Sequence, residues 1–187
     1  MRTIGLSFVL LTIAAAGCSS DPAYSPTGTG PAAKLYCNSS GKNAFDTFGT
    51  TAFVAVNEAI FTNVGAEIGA NSTTNLGDSF TKVGTGVPAS TSDDGAAFKG
   101  TLAAFLVYVY GGPDSIKYTD GVTYDGKAED MVVAHTGLAI TSSQYDYFVA
   151  SIIVPALTSN GVTMDDVSSC FAPPITSAAF KASIVGH

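Results

Sequence analysis

The chain has 187 residues, 46% of them hydrophobic and only 12% charged, with a formal charge of −7. That length fits one domain with some extra peptide, and the apolar share is enough for a core, which leaves Ser, Thr, Asn and Gly to cover most of the surface. The acidic balance and the lack of any Lys/Arg cluster argue against a nucleic-acid partner.

The first residues, MRTIGLSFVLLTIAAAGCSS, do not belong to the fold. Arg2 gives a positive start and an apolar run follows from Ile4 to Ala16. Its thirteen residues fall short of the roughly 20 that a membrane-spanning helix needs, so the run reads as the apolar region of a secretory signal. Ala15-Ala16-Gly17-Cys18 resembles a bacterial lipoprotein cleavage site. This implies a signal peptide over 1–17 and acylation of Cys18, with Ser19 in place of an aspartate pointing to the outer membrane, on its periplasmic or cell-surface face. A plain signal with an incidental cysteine is the alternative. Without Arg2, 7 basic and 15 acidic side chains leave the mature chain at −8. Residues 18–34, rich in Pro, Gly, Ser and Thr, form a flexible tether, and the folded domain is expected over 35–187.

Two further cysteines, Cys37 and Cys170, flank that domain. Outside the cytoplasm an even pair favours a bridge, one that here would clip together two ends that otherwise fray. Two buried thiols are the other possibility. The absence of a CxxCH motif excludes covalent attachment of a c-type haem.

Helical periodicity dominates the rest. Phe53, Val56, Ile60 and Val64 form one stripe, with Phe61 beside it. Phe98, Leu102, Phe105, Leu106 and Val109 form a second, stopped by Gly111-Gly112-Pro113; the valines of LVYVY leave a strand reading open there. A short third helix is expected from about Ala128 to Thr136, with Met131, Ala134, His135 and Leu138 at helical spacing. Thr141 can cap a fourth that carries Tyr145, Phe148, Val149, Ile152, Ile153, Ala156 and Leu157, and Pro155 should bend it. Thr163 and Asp166 suggest the start of a last helix through Cys170. The stretches 65–95 and 114–126 read as loops. The sum is an all-α bundle of about five or six helices.

The chain has two histidines, His135 and His187. No Cys, His or carboxylate stands at zinc-like spacing from His135, so a structural metal site is not indicated. A neutral imidazole on an apolar helix face does suit the fifth ligand of a haem iron, whose other four ligands are porphyrin nitrogens.

The segments FKGTLAAFLVYVYGGP and YDGKAEDMVVAHTGLAITSSQYDYFVASIIVPALTSNGV resemble the distal, proximal and following helices of a truncated haemoglobin, closest to the family's first group. The resemblance rests on Gly111-Gly112-Pro113, Tyr124-x-Gly126, Met131 four before His135, and Ile140-Thr141; GVTMDDVSSCFAPP is similar to the final helix. It covers Phe98 to Pro174 well and Phe45 to Val64 loosely. It implies a two-over-two helical sandwich with enlarged loops around haem b, with His135 on the iron and Phe61, Phe98, Leu102, Phe105, Leu106, Met131, Tyr124, Ile140 and Phe148 about the ring. The chain also departs from the family. Phe61 aligns where a ligand-facing tyrosine is usual, Phe98 and Leu102 fall where a polar group is common, and Gly49 alone remains of a glycine pair. Lacking the donor, such a site should release O₂ and autoxidise faster, while NO and CO suffer less. Tyr108 or Tyr110 turning inward, and Lys99 or Lys127 pairing with a propionate, are further options.

Two functions follow from different classes. One is a surface-anchored haem protein that binds O₂ or NO, without a flavin or nicotinamide motif of its own and therefore not an enzyme in its own right; any dioxygenase-like or peroxidase-like side activity depends on an external reductant and redox partner. The other is a haem-free helical module for interaction or structure. Hydrolytic chemistry is a distant third, since no GxSxG occurs and His135 lacks an evident Ser or Cys partner.

Overall fold

The computed structural model describes residues 35–70, 76–84, 95–113, 115–117, 123–125 and 131–187. The signal, Cys18 and the tether lie outside the described residues, as do the side chains of Phe98, Tyr124 and Lys127. The described chain is mostly helical, in line with the all-α expectation. None of its helices is long and apolar enough to cross a membrane.

Helix α1, Ala44–Gly69, starts at Asn43, whose side chain accepts the Asp46 amide at 2.6 Å. This caps one of the donors left unpaired at any helix start. The helix kinks at Gly49, where φ is +73° and ψ 171°, a backbone that side-chain-bearing residues rarely adopt. Beyond the kink, Phe53, Val56, Ile60 and Val64 are buried as the stripe requires.

The stretch expected as a long loop instead extends α1 to Gly69 and holds helix α2, Gly77–Gly84. Its Leu76, Phe80 and Val83 recur at helical spacing against the core, in a pattern too short to stand out from its polar flanks. Helix α3, Gly95–Val109, takes in LVYVY, so the strand reading there falls. Packing inside the domain outweighs the β preference of its valines.

The Gly111-Gly112 pair ends α3 for two separate reasons. Gly111 donates to Tyr108 C=O at 3.1 Å and Gly112 to Val107 C=O at 2.8 Å, the paired bonds of a Schellman cap. That cap needs φ > 0 at Gly111, which shows +95°. Gly112 is held by space: a methyl there would lie 2.5 Å from Val107 Cγ1 and 2.6 Å from the Phe45 ring. The second expected loop contains a three-residue antiparallel hairpin, β1 Ser115–Lys117 and β2 Thr123–Asp125, with Ile116 opposite Tyr124.

Helix α4, Met131–His135, leads into a turn that reaches α5, Ser142–Tyr147. A capping box joins Thr141 and Gln144 at its start. A π-helical turn, Phe148–Ile153, carries α5 into α6, Val154–Ser159, so Pro155 sits within the first two positions of α6. The widened turn absorbs the hydrogen bond that proline cannot make. The same device recurs where α7, Met164–Asp166, runs through a π turn, Val167–Phe171, into α8, Ala172–Thr176, at Pro173-Pro174. The last helix thus runs past the expected end at Cys170, and a further one, α9, Ala178–Ala182, follows.

Cys37 and Cys170 form a disulfide with Cα atoms 4.8 Å apart. Around it the Asp166 carboxylate accepts the Ser39 amide at 3.0 Å, and Asn38 donates to Asp165 at 3.1 Å. The start of the domain is therefore tied to its last long helix. Asp166 is buried, and the Ser39 amide holds its carboxyl below the usual carboxylate range against the opposing effect of burial.

Candidate functional site

An apolar cavity of about 190 Å³ lies between α2, α3, α4, α5 and the C-terminal helices. The distal stripe of α3 supplies Leu102, Phe105 and Leu106, while Met131 and His135 come from α4. Ile140 and Phe148 join them, so these seven sequence-derived candidates surround one space. Phe61 does not: it lies under Lys99, whose Nζ is 5.3 Å from the ring centre and 2.8 Å from Glu58. The register of α1 turns Phe53, Val56 and Ile60 inward and leaves Phe61 only half-buried, which corrects its placement at the cavity. It also leaves Lys99 paired with Glu58 rather than at the cavity.

His135 closes α4. Its Nδ1 pairs with the Met131 carbonyl at 2.8 Å, one turn earlier in the same helix. With the carbonyl as acceptor, Nδ1 carries the proton and Nε2 is the ring nitrogen left to accept. Nε2 has no hydrogen bond to a described residue. Burial lowers the pKa below the ordinary value, the Met131 carbonyl opposes that shift, and the charge of His187 adds a smaller push in the same direction as burial. The imidazole is therefore neutral at pH 7, the form in which histidine ligates a metal. A backbone carbonyl on the opposite nitrogen is the usual way such a ligand is oriented.

The structure completes the walls: the option of an inward Tyr110 is the one it takes, and Phe180, Ile184 and the residues of the 76–84 segment are the ones that sequence reasoning missed. Tyr110 turns inward, buried, with its hydroxyl on the Phe171 carbonyl at 2.8 Å. Tyr145 gives its hydroxyl to the Ile175 carbonyl, near the end of α8, where a helix leaves acceptors unpaired. Burial raises both phenol pKa values well above their ordinary range, so neither ionises near neutrality. Phe180 of α9 packs its ring 6.2 Å from Phe105, and Ile184 follows it into the wall. The residues beyond α9 fold back on the turn after His135: Gly186 donates to Ile140 C=O at 2.9 Å and Ala139 to His187 C=O at 2.5 Å. Ala139 there sits at φ +52°, uncommon for a residue with a side chain. The C-terminal segment carries too few residues per helix for its period to show in sequence. Leu76 and, from α2, Ser79, Phe80 and Val83 join the wall, all from the segment read as loop.

A second, far smaller apolar space of about 20 Å³ lies beyond Leu106, Tyr110 and Ile153, among Phe48, Phe53, Ile60 and Phe171. Near the disulfide, Cys37, Asp166 and Cys170 come close together, but the two sulfurs are bonded to each other and offer no thiolate to a metal.

The donor set of the large cavity suits a haem: one neutral, oriented imidazole within a wall that is otherwise almost wholly apolar. No family model matches this chain, and no curated protein or solved structure matches it either.

Proposed function

We propose that this chain is a haem b protein of the truncated-globin kind that binds a diatomic gas, O₂ or NO. The observation that carries the reading is His135, half-buried and neutral, its Nδ1 fixed by Met131 and its Nε2 without a hydrogen bond to a described residue at an apolar cavity. In this reading His135 ligates the iron, and Leu102, Phe105, Leu106, Ile140 and Phe148 hold the ring by contact. The haem supplies a ferrous centre to which the gas binds. The protein's own part is to keep the imidazole deprotonated at Nε2, to exclude water, and to present an apolar surface. The kink at Gly49 divides α1 into two helices, as the first two helices of that fold are divided, and supports a two-over-two arrangement of α1 and α3 against the later helices.

At about 190 Å³ the cavity is smaller than the roughly 300–1,000 Å³ usual for sizeable ligands. Entry of the ring therefore requires walls to move, and the short helices α2 and α4 are the ones with least of their own structure to lose. In the same proposal, residues 1–17 direct export and Cys18 carries the lipid that anchors the domain through the 18–34 tether.

The test is reconstitution of the purified protein with haem. A Soret band in the wild type that His135→Ala abolishes, and that His135→Gly recovers with added imidazole, is the expected result. A flat spectrum in the wild type overturns the reading and leaves a haem-free surface module in its place. Metabolic labelling with a fatty-acid analogue, lost in Cys18→Ala, tests the anchor.

A further inference from the structure

His135 is not held in place by its own helix. Helix α4 has five residues, and isolated helices shorter than about 12–15 residues are marginal in water. It runs into a turn that doubles back: Leu138 donates to His135 C=O at 3.1 Å, and Gly137 and Ala139 lie at φ +87° and +52°. Glycine adopts such a backbone freely. Alanine does so at a cost, and stays there only where its surroundings fix it. The contacts that fix it come from a distant segment: Ala139 donates to His187 C=O at 2.5 Å, and Gly186 donates to Ile140 C=O at 2.9 Å.

These two bonds run in opposite directions between the same two segments, and both segments are seated in the cavity wall through Leu138, Ile140 and Ile184. The His187 ring turns back on its own segment, its Nε2 against the Ala182 carbonyl at 3.2 Å, so what His187 gives the turn is its backbone carbonyl. It also lies close enough to His135 for a charge on one imidazole to disfavour a charge on the other. Gly186 sits at φ +87°, and a methyl there would meet nothing within 4 Å. Backbone direction alone calls for a glycine at that position.

The consequence runs back along α4. The bond from His135 Nδ1 to Met131 C=O spans one helical turn, so it exists only while that turn stays helical. Once Ala139 is released, this turn is the next to fray; Nδ1 then loses its acceptor and the proton is free to move to Nε2. We propose that Gly186 and His187 are positioning residues for His135: their backbone pair with Ala139 and Ile140 holds α4 closed, and so keeps the proton on Nδ1 and leaves Nε2 as the accepting nitrogen. Any effect at an iron rests on the haem reading above, which it deepens; the tautomer is a property of the haem-free chain.

The experiment uses the full chain with isotope-labelled histidine as wild type, His187→Ala and Gly186→Ala, together with a chain shortened by Gly186 and His187. Three quantities are read: the ring-nitrogen chemical shifts of His135 in the haem-free protein, which report its tautomer; the far-ultraviolet circular dichroism, which reports folding; and the rate of haem loss from the loaded protein. His187→Ala keeps the backbone carbonyl and should leave His135 protonated at Nδ1. The shortened chain should fold, show His135 shared between its two neutral tautomers, and release haem about 10-fold faster, the loss of two backbone hydrogen bonds. Gly186→Ala, strained at φ +87° but meeting no neighbour, should fall between. A folded shortened chain that keeps the proton on Nδ1 overturns the assignment. So does a His187→Ala variant that behaves like the shortened chain, since the imidazole and not the backbone would then be the cause. If the shortened chain does not fold, Gly186→Ala decides, and a tautomer unchanged from wild type overturns the assignment. A wild type with no Soret band overturns the haem reading alone, and the tautomer of the haem-free variants then decides this assignment by itself.

Discussion

Two apolar spaces share one wall: Leu106, Tyr110 and Ile153 face both, yet one holds about 20 Å³ and the other about 190 Å³. On the closed side long helices meet through aromatic rings, with Tyr110 and Phe171 at 5.0 Å, Phe48 and Phe171 at 5.5 Å, and Phe53 and Tyr110 at 5.8 Å. The disulfide and the Asp166–Ser39 bond fasten that side. On the open side α3 is faced by α2, α4 and α9, each short. The apolar walls of the larger space forgo the packing contacts that a filled core would give them. The same chain packs closely a few ångströms away, so the open space reads as one kept for an occupant.

The comparison breaks most readily at the fastening. Reducing Cys37–Cys170 frees a loop of 133 residues, worth about 5 kcal/mol by chain entropy and commonly about 2–4 kcal/mol in measurement. Denaturant melts with and without reductant should show a loss of unfolding free energy of that order. A change below about 1 kcal/mol means that the closed side does not depend on its clip.

Gly112→Ala is the next largest test. The added methyl meets Phe45 and Val107 below 3 Å, and overpacking of this kind costs about 1–3 kcal/mol. Gly111→Ala should cost about 1–2 kcal/mol for its left-handed backbone, and its methyl would also meet Asn43 Nδ2 at 2.8 Å. If Gly112→Ala is neutral in a thermal melt, the junction between α1 and α3 is looser than its contacts state.

The open side makes the opposite prediction. Ala134 lines the large cavity and is only half-buried, so Ala134→Leu puts apolar atoms into space. It should stabilise the haem-free protein by about 1 kcal/mol and weaken haem uptake. Were it instead to destabilise like a close-packed core site, by about 1–3 kcal/mol, the cavity would not be available space.

The contrast between the two sides also explains what the sequence made legible. The stripe of α1, the described part of the α3 stripe from Leu102 to Val109, the cap at Thr141 and the stop at Gly111-Gly112 are local patterns, and each lies where it was expected. His135 stood out because the chain has so few histidines. Phe61 was misplaced by one position on a helical wheel, since Ile60 and Phe61 are equally apolar and only the packing of α1 separates them. Ser79, Phe180 and Ile184 were hidden because their helices are eight residues or fewer, or follow a break at Ser177. A cavity wall built from such pieces exists only once distant segments meet. Nor does periodicity mark the π turns; only Pro155 and Pro173-Pro174 hint that the helices must widen there.

Acid provides the smallest and most discriminating test, because His135 on the open side and Asp166 on the closed side both have lowered pKa values. His135 sits below its ordinary value of 6.5 through burial. Between its folded and unfolded pKa values the unfolded chain binds more protons, so stability falls as pH drops from about 6.5. Asp166 sits below its ordinary 3.8 through the Ser39 amide. Its contribution is complete above that value and is lost only as pH falls toward the folded pKa. Thermal melts of the haem-free protein should therefore lose stability in two separate windows, the first removed by His135→Gln and the second by Asp166→Ala. His135→Gln keeps a polar group that does not titrate, so it isolates the charge from the packing. A first window that persists in that variant assigns the acid response to another group and leaves the neutral imidazole, on which the open side depends, without its support.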